Sequence, residues 1–190
     1  AWCHTCATMA TGGFSTNQAS VAGFNNPAVE WIITLFMFLA GANFVLHFRA
    51  LRGKVKTYLF DEEFRFYFIL TAVATIAITI LLLRQNVIIT TAGKTLEDFG
   101  FFTALRYAAF QVVSIMTTTG FCTADFNLWP AFAALLLVCF MFIGGCGGST
   151  GGGMKHSRVI LILKYAISQL ERRIFRRSVS NIKLNRQWIS

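Results

Sequence analysis

Apolar residues in this chain gather into long runs, each closed off by charge or by glycine. Ala28 to Phe48 is apolar almost throughout, with Trp31 near its start, and Phe66 to Leu83 follows the same pattern. A helix over either run covers about 30 Å at about 1.5 Å per residue, one hydrocarbon thickness. Phe99 to Met116 is only mildly apolar and holds Arg106, Tyr107 and Gln111. A charge at mid-membrane depth is costly, so this run reads as a half-length helix that enters from one side and stops. Leu128 to Ile143 is apolar behind Trp129 and Pro130, a placement natural for a helix start. It breaks at Gly144–Gly153, and the apolar pattern resumes over Val159–Ile167. The expected fold class is an all-α integral membrane protein.

Between the runs lie polar connections. Residues 1–16 read as the end of a re-entrant helix followed by an extended loop, and Asn17 to Pro27 as a surface connection. Arg49 to Arg65 is a charged loop with Arg49, Arg52, Lys54, Lys56, Asp61, Glu62 and Glu63; Arg84 to Asp98 is less basic. The tail from Arg172 to Ser190 is basic and polar. Parity tests this layout. With both threonine–glycine stretches outside, 28–48 runs inward, 66–83 outward, 99–116 dips and returns, and the run from 128 goes inward again. Both basic regions, Arg49–Arg65 and Lys155–Arg177, then share one side, as the positive-inside tendency asks. A complete crossing by 99–127 would have separated them.

A repeat runs through the pattern. Gly13-Phe14 matches Gly120-Phe121, each followed by a small residue and a threonine, and Phe36–Gly41 matches Phe140–Gly145, with Pro27 and Pro130 between. The unit is re-entrant helix, loop, spanning helix, in the same orientation twice, a repeated pore element.

Composition strengthens the membrane reading. The 190 residues are 55% hydrophobic with mean hydropathy +0.59 and 20 phenylalanines. The net charge of +9 comes from cations between apolar runs and at the end, not from one basic face, which argues against nucleic acid. The chain lacks an initiating methionine and reads as a piece of a longer protein. Its 5 cysteines include Cys3 and Cys6 in a C-x-x-C, without a second pair or a histidine pair to complete a metal site. A membrane-embedded redox protein using Cys3 and Cys6 is the competing reading from another class. No acid–base or nucleophile constellation supports an enzyme.

The candidate chemistry lies in two stretches, Thr11, Gly12, Gly13 and Thr118, Thr119, Gly120. Irregular backbone at membrane depth is tolerated where it lines water, and carbonyl and hydroxyl oxygens can replace the hydration shell of a cation. Thr11, Gly12, Thr118 and Thr119 would present oxygens, while Gly13 and Gly120 permit the backbone geometry. A side chain at Gly120 is expected to clash with that geometry. Asp125 adds negative potential at the mouth or caps the following helix. The run Gly144, Gly145, Gly147, Gly148, Ser149, Thr150, Gly151, Gly152, Gly153 and Lys155 lacks the phosphate-loop spacing, because Met154 separates Gly153 from Lys155. It reads as a break in a helix inward of the second loop, serving as gate or hinge. Lys155 either faces the pore or snorkels toward the cytoplasm. His47 and His156 sit at membrane exits and are expected to be interfacial.

Ala10–Thr16, Thr117–Pro130 and Gly147–Lys155 closely resemble the motifs of the TrkH/TrkG/KtrB superfamily of microbial potassium transporters, and the resemblance runs over nearly the whole chain. The last stretch is more like TrkH than KtrB. That family builds one potassium-channel-like pore from repeats of helix, pore loop and helix. The resemblance implies potassium uptake across the bacterial inner membrane and K+ as the transported ion. Thr11, Gly12, Thr118 and Thr119 would coordinate it, and Gly144–Lys155 would be the intramembrane gating loop. It further implies a homodimer in the lipid bilayer and a cytosolic TrkA-like nucleotide-binding regulatory subunit. Residues 1–48 would be the latter part of repeat two, 49–65 a cytoplasmic loop, 66–172 repeat three, and 173–190 a basic cytoplasmic linker. A sodium-preferring or sodium-coupled member of the superfamily is the alternative within the same class, because neither loop carries the Tyr-Gly of tetrameric potassium channels.

Overall fold

The structure, a computed structural model, describes residues 2–84, 89–91, 94–96, 100–174, 182–184 and 187–189. Its helices are α1 (Trp2–Met9), α2 (Pro27–Ala40), α3 (Phe44–Leu51), α4 (Thr57–Phe60), α5 (Glu62–Arg84), α6 (Phe101–Met116), α7 (Ala131–Met141) and α8 (His156–Ile174). Two short antiparallel hairpins stand at the margins, Ile89–Thr91 with Lys94–Leu96 and Ile182–Leu184 with Gln187–Ile189. They fall in stretches that hydropathy alone leaves as loop and linker, so the fold is helical without being purely so.

α5 begins at Glu62 rather than Phe66, because Asp61 caps it: its Oδ1 accepts from the Phe64 N–H at 2.8 Å. Glu62 and Glu63 in the first turn and Arg84 in the last complement the helix dipole. Among the described residues α5 is the one unbroken helix long and apolar enough to cross a membrane by length and composition. Its faces do not sort by polarity as those of a soluble helix do, since the inner one mixes threonines with Tyr67, Ala74, Ile78 and Leu82. Thr71, Thr75 and Thr79 are buried, whereas Ile69, Val73, Ile76 and Ile80 are exposed. The inward hydroxyls are satisfied within the helix, Thr71 donating to the Tyr67 carbonyl at 2.8 Å and Thr79 to that of Thr75 at 2.7 Å.

α6 is the centre. Every residue from Tyr107 to Met116 is buried, packed by α5 and α7 on one side and by α1 and α2 on the other. The outer helices turn Ile32, Leu35, Phe36, Phe132, Leu135 and Val138 outward. Arg106, near the start of α6, lies at ion-pair distance from Glu30 of α2, with Nε 3.0 Å from Oε2.

The structure revises the apolar run 28–48. It is two helices, α2 and α3, bent by 101° at Gly41–Asn43. Gly41 ends the first, and the Asn43 side chain caps the second by accepting from the Val45 N–H at 2.8 Å. A polar residue that can cap makes a restart cheap where an apolar one would not. Residues 17–27 are not merely a surface connection. Ser20–Phe24 form a 3-10 turn whose Val21 is fully buried, and Ala22 N–H donates to the Cys122 carbonyl at 3.2 Å. The charged loop 49–65 contains α4, and α8 starts at His156 and runs to Ile174, past both ends of the apolar pattern.

Candidate functional site

Both threonine–glycine loops leave a helix in the same way. At the end of α1 the Thr11 N–H donates to the Thr8 carbonyl at 3.2 Å and the Gly12 N–H to that of Ala7 at 2.9 Å. At the end of α6 the Thr118 N–H donates to Ile115 at 3.0 Å and the Thr119 N–H to Ser114 at 2.9 Å. These are matching Schellman-type ends, and the left-handed position that usually takes glycine is occupied by threonine, Thr11 at φ 51° and Thr118 at φ 57°. A β-branched residue there is strained by about 1–2 kcal/mol, and such strain persists only where the surroundings hold it. Two residues on, Gly13 and Gly120 are again left-handed, at φ 67° and 82°. The glycines therefore carry only half of the unusual geometry; the sequence pattern gave no sign that the threonines carry the rest.

The loops touch. A Cβ on Gly13 would come 2.0 Å from the Thr119 carbonyl oxygen, so one loop's backbone packs directly on the other's. At Gly120 the same atom would meet open space, and the clash expected there does not arise. Behind the loops, Ser114 Oγ donates to the Phe121 carbonyl at 2.7 Å. Phe121 is fully buried and stacks on His4, whose Nε2 is 3.0 Å from Ser15 Oγ. His4 thus ties both loops to α1. Asp125 accepts from the Asn127 N–H at 3.0 Å, capping the short turn Phe126–Leu128 rather than α7 itself.

The break between α7 and α8 lies against both loops. Its base is pinched where Ile143 pairs with Met154: Gly144 N–H donates to the Met154 carbonyl at 3.0 Å and Met154 N–H to that of Phe142 at 3.1 Å. Gly144 is needed there, because a Cβ would fall 1.7 Å from the Gly152 carbonyl oxygen. From this base the loop reaches the ends of α1, α2 and α6. Thr150 Oγ1 lies 3.0 Å from the Met9 carbonyl and 3.3 Å from that of Ala40; Thr11 Oγ1 donates to the Thr150 carbonyl at 3.0 Å; Gly152 N–H donates to Thr118 Oγ1 at 2.7 Å. It also occupies the break in the neighbouring helix. Cys146 N–H donates to the Gly41 carbonyl at 2.9 Å and Phe44 N–H to that of Gly148 at 3.1 Å. The carbonyl freed when α2 ends at Gly41 is thereby satisfied.

Several side chains differ from expectation. The Lys155 ammonium folds back onto the Gly151 carbonyl, a contact within its own loop that neither reading of this residue included. His156 is fully buried against Phe66 and Tyr67, not interfacial, because α8 begins there and turns its first residue onto α5. His47 points inward, with Nε2 donating to the Leu39 carbonyl at 2.9 Å and Nδ1 against the Tyr58 hydroxyl. The carbonyl can only accept, so Nε2 carries the proton. Burial pushes the Tyr58 phenol above its ordinary range, which keeps its proton available for this contact. Sequence reasoning also passed over Glu63, a 7% exposed carboxylate whose Oε1 accepts from Gly147 and Ser157. A second acid beside the dipole-favoured Glu62 was its available signal. Cys3 and Cys6 are free and exposed one turn apart on α1, and among the described residues no His, Cys, Asp and Glu cluster could hold a metal.

The family described as TrkH, cation transport protein, matches residues 1–190. The chain belongs to the TrkH family. It is 40% identical over 182 residues to the Trk system potassium uptake protein TrkH of Salmonella typhimurium, which covers 95% of this chain and 36% of that protein. The Trk system potassium uptake protein TrkI of Halomonas elongata is 34% identical over 97% of this chain and 35% of its own length. Among solved structures, the potassium transporter TrkH from Vibrio parahaemolyticus superposes with a TM-score of 0.85 at 37% identity, over 95% of this chain and 37% of that one. These TrkH relatives are transport proteins, not enzymes. The chain spans a little over a third of their length, 36% in the Salmonella case.

Proposed function

We propose that this chain supplies two units of a four-repeat potassium-uptake pore in the bacterial inner membrane. In this reading residues 1–48 are the latter part of one repeat and 66–172 the next, with 49–65 a cytoplasmic loop and 173–190 a cytoplasmic linker. Thr11–Gly13 and Thr118–Gly120 contribute to the filter. The hydroxyls of Thr11 and Thr118 are engaged by the glycine-rich loop, and that of Thr119 by Thr117 at 2.7 Å. In this reading backbone carbonyls share the coordination with the lone pairs these hydroxyls keep. Gly144–Lys155 is the gating loop, seated against both filter loops. The observation that carries the reading is the shared strained helix end at Thr11 and Thr118, brought together where Gly13 meets Thr119.

The bilayer is supported by the outer face of α5, where Ile69, Val73, Ile76 and Ile80 are exposed while Thr71, Thr75 and Thr79 turn inward; lipid needs no polar outer surface. The Trk system names of the relatives support K+ as cargo, and the family resemblance supports a homodimer with a TrkA-like regulatory subunit. The test is ion flux through the full-length protein in liposomes at equal K+ and Na+. A K+ preference that Gly13→Ala erodes is the expected result. A Na+ preference would favour the sodium-selective alternative. A preference untouched by substitution in both loops would remove the filter assignment.

A further inference from the structure

We propose that Glu63 is the latch that holds the glycine-rich loop in its seat, a positioning residue for the gate rather than an ion ligand. The inference rests on reading Gly144–Lys155 as a gate. Glu63 stands in the first turn of α5, and its carboxylate is nearly enclosed, at 7% exposure. One oxygen, Oε1, takes two backbone N–H groups, one from within the break, Gly147 at 2.7 Å, and one from the start of α8, Ser157 at 2.9 Å.

Neither donor has another natural partner. Gly147 lies in irregular backbone, and Ser157 is in the first turn of α8, where N–H groups have no carbonyl one turn back. A carboxylate serves both as an acceptor and as a negative charge at a helix start. The same part of α5 also holds the other break. Tyr67, one turn on, donates to the Phe38 carbonyl at 3.1 Å, and a Cβ on Gly41 would approach its hydroxyl to 2.6 Å. The start of α5 therefore grips α2 just before its bend and the loop that fills that bend. Because α5 follows directly on the charged 49–65 stretch, a displacement there passes to the loop through Glu63.

Release of the latch frees two enclosed N–H groups and moves the loop toward its unseated state. Glu63→Ala in the reconstituted full-length protein should raise initial K+ flux by about fivefold or more, the ratio expected when buried donors lose their acceptor, with K+/Na+ selectivity unchanged. Glu63→Gln keeps an oxygen at the same reach and should stay within about twofold of the parent. Glu63→Asp keeps the charge but withdraws the oxygen, giving an intermediate flux, and decides the matter if the alanine variant does not fold. A merely structural role would lower flux and yield together. Labelling of a Ser149→Cys reporter by a charged thiol reagent supplies an independent readout and should quicken in the Glu63→Ala background. Unchanged or lower flux with unchanged labelling would overturn the proposal. If shortening Gly147–Gly153 raises flux while Glu63→Ala and Glu63→Asp do not, the latch alone fails. If none of these raises flux, the gate reading fails with it.

Discussion

Gly13 and Gly120 occupy matching motif positions, yet the structure predicts different consequences for alanine at each. At Gly120 the added Cβ meets nothing within 4 Å, so the cost is conformational, about 1–2 kcal/mol for a left-handed alanine. At Gly13 the same conformational cost applies at φ 67°, and the Cβ would also lie 2.0 Å from the Thr119 carbonyl oxygen. A carbon–oxygen contact needs about 3.3 Å, so the two loops must part by about 1 Å. Overpacking of this kind adds about 1–3 kcal/mol, bringing Gly13→Ala to about 2–5 kcal/mol in all. The displaced atom is a backbone carbonyl, so selectivity should suffer with stability. The assay is paired: thermal unfolding of the purified full-length protein, and K+-limited growth of a host without its own potassium uptake. Gly13→Ala should lose much of both, whereas Gly120→Ala should lose only the conformational cost of about 1–2 kcal/mol, about half as much or less. Equal effects in both assays would refute the argued contact.

Glu30→Ala should destabilise the full-length protein by about 2–4 kcal/mol, below the largest costs for buried pairs because Arg106 keeps 15% exposure; a melt unchanged against the parent would show the pair to be dispensable. The double variant Glu30→Gln with Arg106→Gln should recover part of that loss. Thr150→Val removes a hydroxyl placed between the Met9 and Ala40 carbonyls and should raise flux a few-fold, read as initial K+ efflux from loaded vesicles. Replacing Cys3 and Cys6 together by serine should leave uptake unchanged, since both are exposed and free; lost uptake would revive the redox reading.

Much of this arrangement was legible because lipid-sized helices announce themselves by length. A helix ending at Met116 was expected over residues 99–116, and α6 spans almost those residues. The bend at Gly41–Asn43 escaped because the residues on both sides are equally apolar, and the decisive feature is a local cap by Asn43. The threonines of the two loops were read as oxygen sources, and that reading gave no hint of their left-handed backbone. β-branched residues almost never adopt it unless neighbours impose it, and here the imposing neighbours lie far off in sequence. Glu63 and His156 were misjudged for a related reason. Their positions at helix starts suggest solvent or interface, whereas their partners, Gly147 and Tyr67, come from other elements.

The two helix breaks are unequal in size, and this has a kinetic consequence. Gly41–Asn43 is only long enough to turn the chain, while Phe142–Lys155 has the backbone to cross over and fill its neighbour's notch. If the proposed gate is right, a conduit closed in this way behaves like a basin with one stopper, not like an iris whose blades must all retract together. Opening then needs no concerted motion of equivalent parts, and its rate is set by how often a single tethered strand lifts from its seat.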